Sequence, residues 1–308
     1  MKALAPCILV LAAAWFLVAG SPPAETPPPG AAENITAAIP PEPMAKPLKP
    51  RKLLVFSKTN GFRHASIATG RLALAEMGRV TGAYEAVLSE DLADFEEARL
   101  TNFDAVCFLS TTQNVFSPRA AEFNAMDDAG KKAAMEKDAR LKGNLMRFVK
   151  SGHGFVGIHA ATDTCQEWAE YGRMINGFFD GHPWNADTMV SIEVEPGQEQ
   201  HPLAAMFDGR NLEFQEEIYQ LRDPYDSKSV HMLLRLDTAR TDMTRPGIKR
   251  TDGDFGVSWA RHWEQGRVFY TSIGHNHEMY WHPKVVRHYL AGIQWALGDL
   301  NAEVNAGK

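Results

Sequence analysis

"GFVGIHAATD", residues 154–163, sets Phe155, Val156 and Ile158 around a small Gly157, then a histidine, then the small pair Ala160 and Ala161. This is the pattern of a buried strand that runs into a sharp turn. In α/β proteins a strand, a tight turn and a helix project one side chain from the carboxyl end of the sheet, as nucleophile elbows of the G-x-S-x-G kind do. The residue at the elbow is His159, neither an acylating serine nor a thiol.

On either side of this stretch, apolar runs alternate with helical patterns. "KLLVFS" (52–57), "YEAVLS" (84–89) and "FDAVCFLS" (103–110) read as strands, and "SIATGRLALAEMG" (66–78) reads as a helix. The alternation predicts βαβ units, and so an α/β fold with a mostly parallel central sheet flanked by helices. Between Pro118 and Lys150, the lysine-rich "DDAGKKAAMEKDARLKG" predicts a helical surface insertion. Downstream, "MVSIEVE", "EEIYQL", "HMLLRL", "VSWARHW" and "RVFYTSI" predict additional strands in the C-terminal half, and Gly266 is expected to supply a positive φ to the hairpin "HWEQGRVF". His282 and Pro283 open a last helix, in which Val286, Tyr289, Leu290, Ile293 and Leu297 recur at helical spacing.

With 308 residues, 44% of them hydrophobic, and a formal net charge of -6, the chain can bury a large core. Its mildly acidic balance, without a basic run, argues against nucleic acid as a partner and leaves small polar ligands such as sugars open. Lys2, the apolar run "ILVLAAAWFLVAG" and the small-residue ending Val18–Gly20 give residues 1–20 the pattern of a signal peptide, hence a periplasmic or secreted protein. An uncleaved N-terminal anchor is the alternative; after cleavage no membrane insertion is expected. Residues 21–50, dense in proline and alanine, are expected to form a disordered tether, residues 51–298 one folded domain, and residues 299–308 a tail. Cleavage would leave Cys107 and Cys165, too few for a disulfide framework. Cys107 is expected to be a buried small hydrophobe, and Cys165 to sit in the helix after the elbow.

Three polar clusters fall at the carboxyl ends of strands, where open α/β sheets bind ligands: "SKTNGFRH", "HAATD" and "GHNHE". They predict one crevice shared by His64, His159, His275 and His277, with Asn60 beside it. Histidine in such a place can act as a general acid or base near neutral pH. It can also ligate a divalent metal such as zinc, with the H-x-H pair His275 and His277 joined by His64 and His159. The sequence leaves both chemistries open and fixes no metal ligand.

Taken in order, "SKTNGFRHASI", "GFVGIHAATDT", "FFDGHPWN", "HPLAAMF", "EEIYQL" and "GRVFYTSIGHNHEMY" resemble the motifs of the ThuA-like (trehalose utilization) family over roughly residues 51–298. The resemblance implies a class I glutamine amidotransferase-like, flavodoxin-like fold and a role in the breakdown of trehalose and related sugars or their 3-keto derivatives. The amidotransferases carry a cysteine at the elbow; with His159 there, the acyl-enzyme nucleophile is missing and glutaminase activity is not expected. The segment "EFQEEIYQL" matches the family's acidic-Glu-aliphatic-Tyr stretch at Glu216, Glu217, Ile218 and Tyr219. Strand alternation puts Glu217 and Tyr219 on one face, which makes Glu217 the expected acid or base and Tyr219 its hydrogen-bonding neighbour.

"GHPWN" adds His182, Trp184 and Asn185, and an indole beside polar groups suits the apolar C–H face of a pyranose. Packing of Trp184 into the core is the competing reading. Asp163 is expected to orient His159 or bind a hydroxyl, or else to be a plain helix-start acid. The expected catalytic residues are thus His159, Glu217 and His275; the expected substrate-binding residues are Asn60, His64, Asp163, His182, Trp184, Tyr219 and His277. Three functional classes follow: an enzyme moving protons on a sugar by hydrolysis, elimination or isomerisation, a carbohydrate-binding module tethered near a partner enzyme, and a structural domain with a relic pocket.

Overall fold

The computed structural model describes residues 26–305, so the expected signal peptide lies outside the described residues. Helix α1 (Ala31–Ala38) precedes β1 (Lys52–Phe56), α2 (Ile67–Thr81) and β2 (Glu85–Ser89). Next come α3 (Glu97–Leu100), β3 (Ala105–Leu109), α4 (Ala120–Ala125), α5 (Asp128–Lys150), β4 (Gly154–Ile158) and α6 (Ala169–Ile175). The second half holds β5 (Phe178–Phe179), β6 (Met189–Val194), β7 (Leu212–Gln215), β8 (Leu221–Arg222), β9 (His231–Leu236), β10 (Gly256–Trp263), β11 (Gly266–Thr271) and α7 (Pro283–Ala296).

Nine strands form one sheet in the order β2-β1-β3-β4-β11-β10-β9-β6-β7. From β2 to β11 every pairing is parallel. The additional C-terminal strands extend that sheet antiparallel. Because β11, late in the chain, pairs with β4, the loop after it is carried to the elbow. Alternation along β1 sends Leu53 and Val55 into one apolar layer and Leu54 and Phe56 into the other, so both faces of the sheet are covered.

Three expectations change. The stretch expected as a surface insertion is the crossover helix between β3 and β4, which parallel neighbours require. Its charged first half is exposed, while Leu141, Leu145, Phe148 and Val149 bury the second half. The expected tether is docked over residues 26–50: Ala31, Ile35 and Ala38 turn one face of α1 into the core, and Gln294 Oε1 accepts from the N–H groups of Met44 and Ala45 at 2.7 and 3.2 Å. Three apolar residues at helical spacing outweigh the surrounding prolines. The expected tail is tied down over its described residues 299–305, by His201 Nε2 against the Glu303 carbonyl and His231 Nδ1 against the Asn305 carbonyl.

In the β10–β11 hairpin the positive φ falls on Glu264, at 53°. Gly266 serves a different need, since the Val149 carbonyl at the end of α5 occupies the space of a β-carbon. Cys165 stands just after a 3-10 turn rather than in a helix, and both it and Cys107 are buried and unpaired.

His288 in α7 gives a pH prediction. Its ring spans the Leu203 carbonyl at 2.7 Å and Ser258 Oγ at 2.9 Å, and burial pushes its pKa down to about 4. The folded chain holds this ring neutral, so its contribution is complete above the unfolded pKa of about 6.5 and is lost as pH falls through about 4. That amounts to roughly 3 kcal/mol. Urea unfolding of His288→Gln should show a shallower loss of stability across this window; parallel curves for variant and parent would contradict it.

Candidate functional site

Three parallel strands aim their carboxyl ends at one place: His64 follows β1, His159 follows β4 and His275 follows β11. His159 adopts a φ of 53°, a left-handed conformation uncommon outside glycine, as a strained elbow would. Gly274, with φ 142°, lets the β11 loop pass close by: a β-carbon there would lie 2.9 Å from Ile158 Cγ2 and 3.3 Å from His159 Cβ.

The wholly buried His159 points Nδ1 at the Ser272 carbonyl, 2.8 Å away, so Nδ1 carries the proton and Nε2 presents its lone pair. His64 Nε2 and His275 Nδ1 each lie 3.2 Å from that Nε2. Glu217 Oε1 sits 3.1 Å from His275 Nδ1 and 3.6 Å from His159 Nε2. Its Oε2 lies 3.4 Å from His182 Nδ1. His64, His159, Glu217 and His275 each bring one ligand-type atom into a group within 4.8 Å of one another.

Burial, reinforced by the neighbouring histidines, pushes His159 well below its ordinary range and His64 down to about 3. Burial works against ionisation of Glu217, yet the hydrogen bond from His275 and the fields of His159, His275 and His182 hold its pKa below the usual value. The centre sets an ionised carboxylate beside two imidazoles, His64 and His159, that burial keeps neutral.

A family model described as ThuA, trehalose utilisation, matches residues 52–296. The chain belongs to the ThuA family. Among solved structures it is similar to a ThuA-like protein from Bacteroides uniformis ATCC 8492, with a TM-score of 0.59 and 19% identity over 82% of this chain and 93% of that one. A ThuA-like protein from Parabacteroides merdae ATCC 43184 gives a TM-score of 0.52 and 15% identity over 83% of this chain and 93% of the other. At these identities the likeness shows the fold alone. A comparison with curated proteins returns no match.

In this ThuA-family chain the alternation expected around Glu217 persists, although the strand does not: β7 ends at Gln215 and the next residues run irregularly. Glu217 faces the histidines, and Tyr219 meets His159 through its ring, with centroids 4.7 Å apart, rather than as a hydrogen-bonding neighbour of Glu217. Glu216 points the other way, and its buried carboxylate accepts from the N–H groups of Gly274, His275 and Asn276 at 2.7, 2.5 and 3.0 Å. Burial pushes its pKa up to about 8 against those donors. It positions the His275 loop, a role that sequence reasoning missed.

Other expected residues fall elsewhere. Trp184 is wholly buried, donates from Nε1 to the Asp242 carbonyl at 3.0 Å and packs against Phe255, so it is core and no sugar platform. Asp163 does not orient His159, whose Nδ1 already faces Ser272; its carboxyl accepts from Gln166 at 2.5 Å, and burial pushes its pKa up to about 6. With Asn60, Gln113 and Trp168, Asp163 lines a separate cavity of about 550 Å³. The Asn60 amide is taken by the carbonyls of Asn114 and Ser117. His277 engages Thr69 Oγ1 at 2.7 Å and is not among the converging residues, so the H-x-H pair splits. Burial pushes the Cys165 thiol up to about 12, which leaves it protonated and a poor nucleophile. Phe62, two residues before His64, was not foreseen: it is 65% exposed, with its ring 4.8 Å from that of His64.

Proposed function

We propose that this ThuA-family chain is an exported enzyme that acts on a sugar or 3-keto-sugar derivative at the centre formed by His159, Glu217 and His275. The observation that carries the reading is the convergence of three strand-end imidazoles on one ionised carboxylate. A chain that needed these residues only for stability would gain more from apolar packing than from burying four polar groups together.

The centre reaches the surface at His275 and His182. The side chains of His275 and His182 are 21% and 45% exposed, while those of His159 and Glu217 are 0% and 8% exposed. A sugar entering there meets Glu217 as proton acceptor, and His182, beside Glu217 Oε2 and 3.0 Å from Asn185 Oδ1, exchanges that proton with solvent. Removal of a proton next to a keto group or from a hydroxyl is the step such a pair supports. Export is supported by the amino-terminal sequence pattern.

Phe62 takes the place first given to Trp184, as the aromatic face for the C–H side of a pyranose. Phe62→Ala should raise KM roughly tenfold, leave kcat within a factor of about two, and leave stability unchanged, since an exposed ring adds little to folding. An unchanged KM in steady-state kinetics would remove Phe62 from the site. The function itself is tested by supplying trehalose, other disaccharides and their 3-keto forms to the full chain and following product. Turnover of any of them supports the reading; saturable binding without turnover makes the chain a carbohydrate-binding module instead.

A further inference from the structure

We infer that His64 Nε2, His159 Nε2, His275 Nδ1 and Glu217 Oε1 form a binding site for one divalent first-row transition metal ion, with zinc as the ion their set and spacing fit. The inference deepens the reading of this centre and shares its residues, but it does not require that the ligand be a sugar.

Spacing is the first argument. Zinc bound by nitrogen and oxygen at about 2.0–2.1 Å in a tetrahedron holds its ligand atoms about 3.3 Å apart. The distances to His159 Nε2 are 3.2 Å from His64, 3.2 Å from His275 and 3.6 Å from Glu217, and Glu217 to His275 is 3.1 Å. Four side chains from four separate segments bring their ligand atoms within 4.8 Å of one another, and these four separations lie close to the edge length of such a tetrahedron.

Proton bookkeeping is the second. The Ser272 carbonyl fixes the His159 proton on Nδ1, the outer-shell hydrogen bond that metal-ligating histidines usually make. Its Nε2 therefore offers a single lone pair, yet two further ring nitrogens and a carboxylate oxygen face it. His64 gains nothing from its outer nitrogen, because Nδ1 is buried without a partner, so what this ring meets at Nε2 is what holds it. A cation shared by all four atoms satisfies each lone pair at once. Three imidazoles and one carboxylate suit such an ion better than calcium or magnesium, which prefer oxygen.

The support is rigid: His64, His159 and His275 follow the ends of parallel strands, and Glu216, next to the fourth ligand Glu217, fastens the loop that carries His275. With Oε1 on the ion, Glu217 Oε2 remains beside His182 for proton exchange.

The test uses the full chain, stripped with chelator and dialysed, then titrated with zinc alone in a calorimeter, with metal content measured after gel filtration. One ion per chain is expected. His159→Ala should weaken binding by roughly 100-fold or more, and Glu217→Gln by less. Substitution with cobalt should give the visible absorption of a tetrahedral ion. His201→Ala removes the other close histidine pair, His201 and His231, and should change nothing. Binding that survives in folded His159→Ala and in His64→Ala, or that disappears in His201→Ala, would overturn the inference. Sugar turnover by a chain that takes up no zinc would sink the metal and keep the proposed function. Zinc binding lost in His159→Ala, with no sugar turned over, would keep the metal and sink the sugar reading.

Discussion

Glu217→Gln should lower kcat about 10³-fold on the chain's sugar substrate, with KM changed by less than tenfold. The amide matches the carboxylate in shape but cannot accept a proton, and its NH2 would face either the imidazoles or His182. Position of the backbone and packing of Tyr219 stay as they are, so circular dichroism and the unfolding midpoint should move little. A variant that keeps its kcat would show that Glu217 is not the proton acceptor. One that loses activity only because it unfolds would be recognised by its lowered midpoint.

Trp184→Ala should do the reverse. The ring is wholly enclosed and its N–H satisfies the Asp242 carbonyl, so its removal leaves a large cavity and an orphaned acceptor. The expected cost is about 3–5 kcal/mol, or on the order of 10 °C in thermal unfolding for a chain of this size. Turnover well below the transition should stay near that of the parent, because the indole faces Phe255 and not the histidines. Retained stability together with lost sugar affinity would return Trp184 to the role of a sugar platform.

What could be read in advance follows from what periodicity encodes. Buried parallel strands such as β4 are short continuous apolar runs, and polar clusters after them must share the carboxyl edge, so His64, His159 and His275 could be brought together from the sequence alone. The side-chain alternation through Glu216, Glu217, Ile218 and Tyr219 was equally legible, since it needs only extended backbone and survives the loss of regular pairing after Gln215.

Other features depend on partners distant in sequence. Trp184 and Phe62 are both aromatic residues in polar loops, and only the fold makes one core and the other exposed. His275 and His277 are spaced as a ligand pair, but the chain turns between them and sends the second to Thr69. Proline-rich composition concealed α1, whose three buried apolar residues need the α7 side of the sheet to bury them. In α5, charges in the first half masked the apolar spacing of the second. Glu216 acts on backbone N–H groups some sixty residues away, a relation that no local pattern carries.

The central claim, that the histidines and Glu217 make a centre that transforms a sugar, is tested most directly by one side-by-side rate measurement. The full chain and a folded His159→Ala variant are given the same trehalose and 3-keto-trehalose solutions, and product is followed over time. The account predicts turnover of at least one of them by the parent and loss of about 10³-fold or more in the variant. Equal rates in the two proteins, or saturable binding with no product from either, would contradict it.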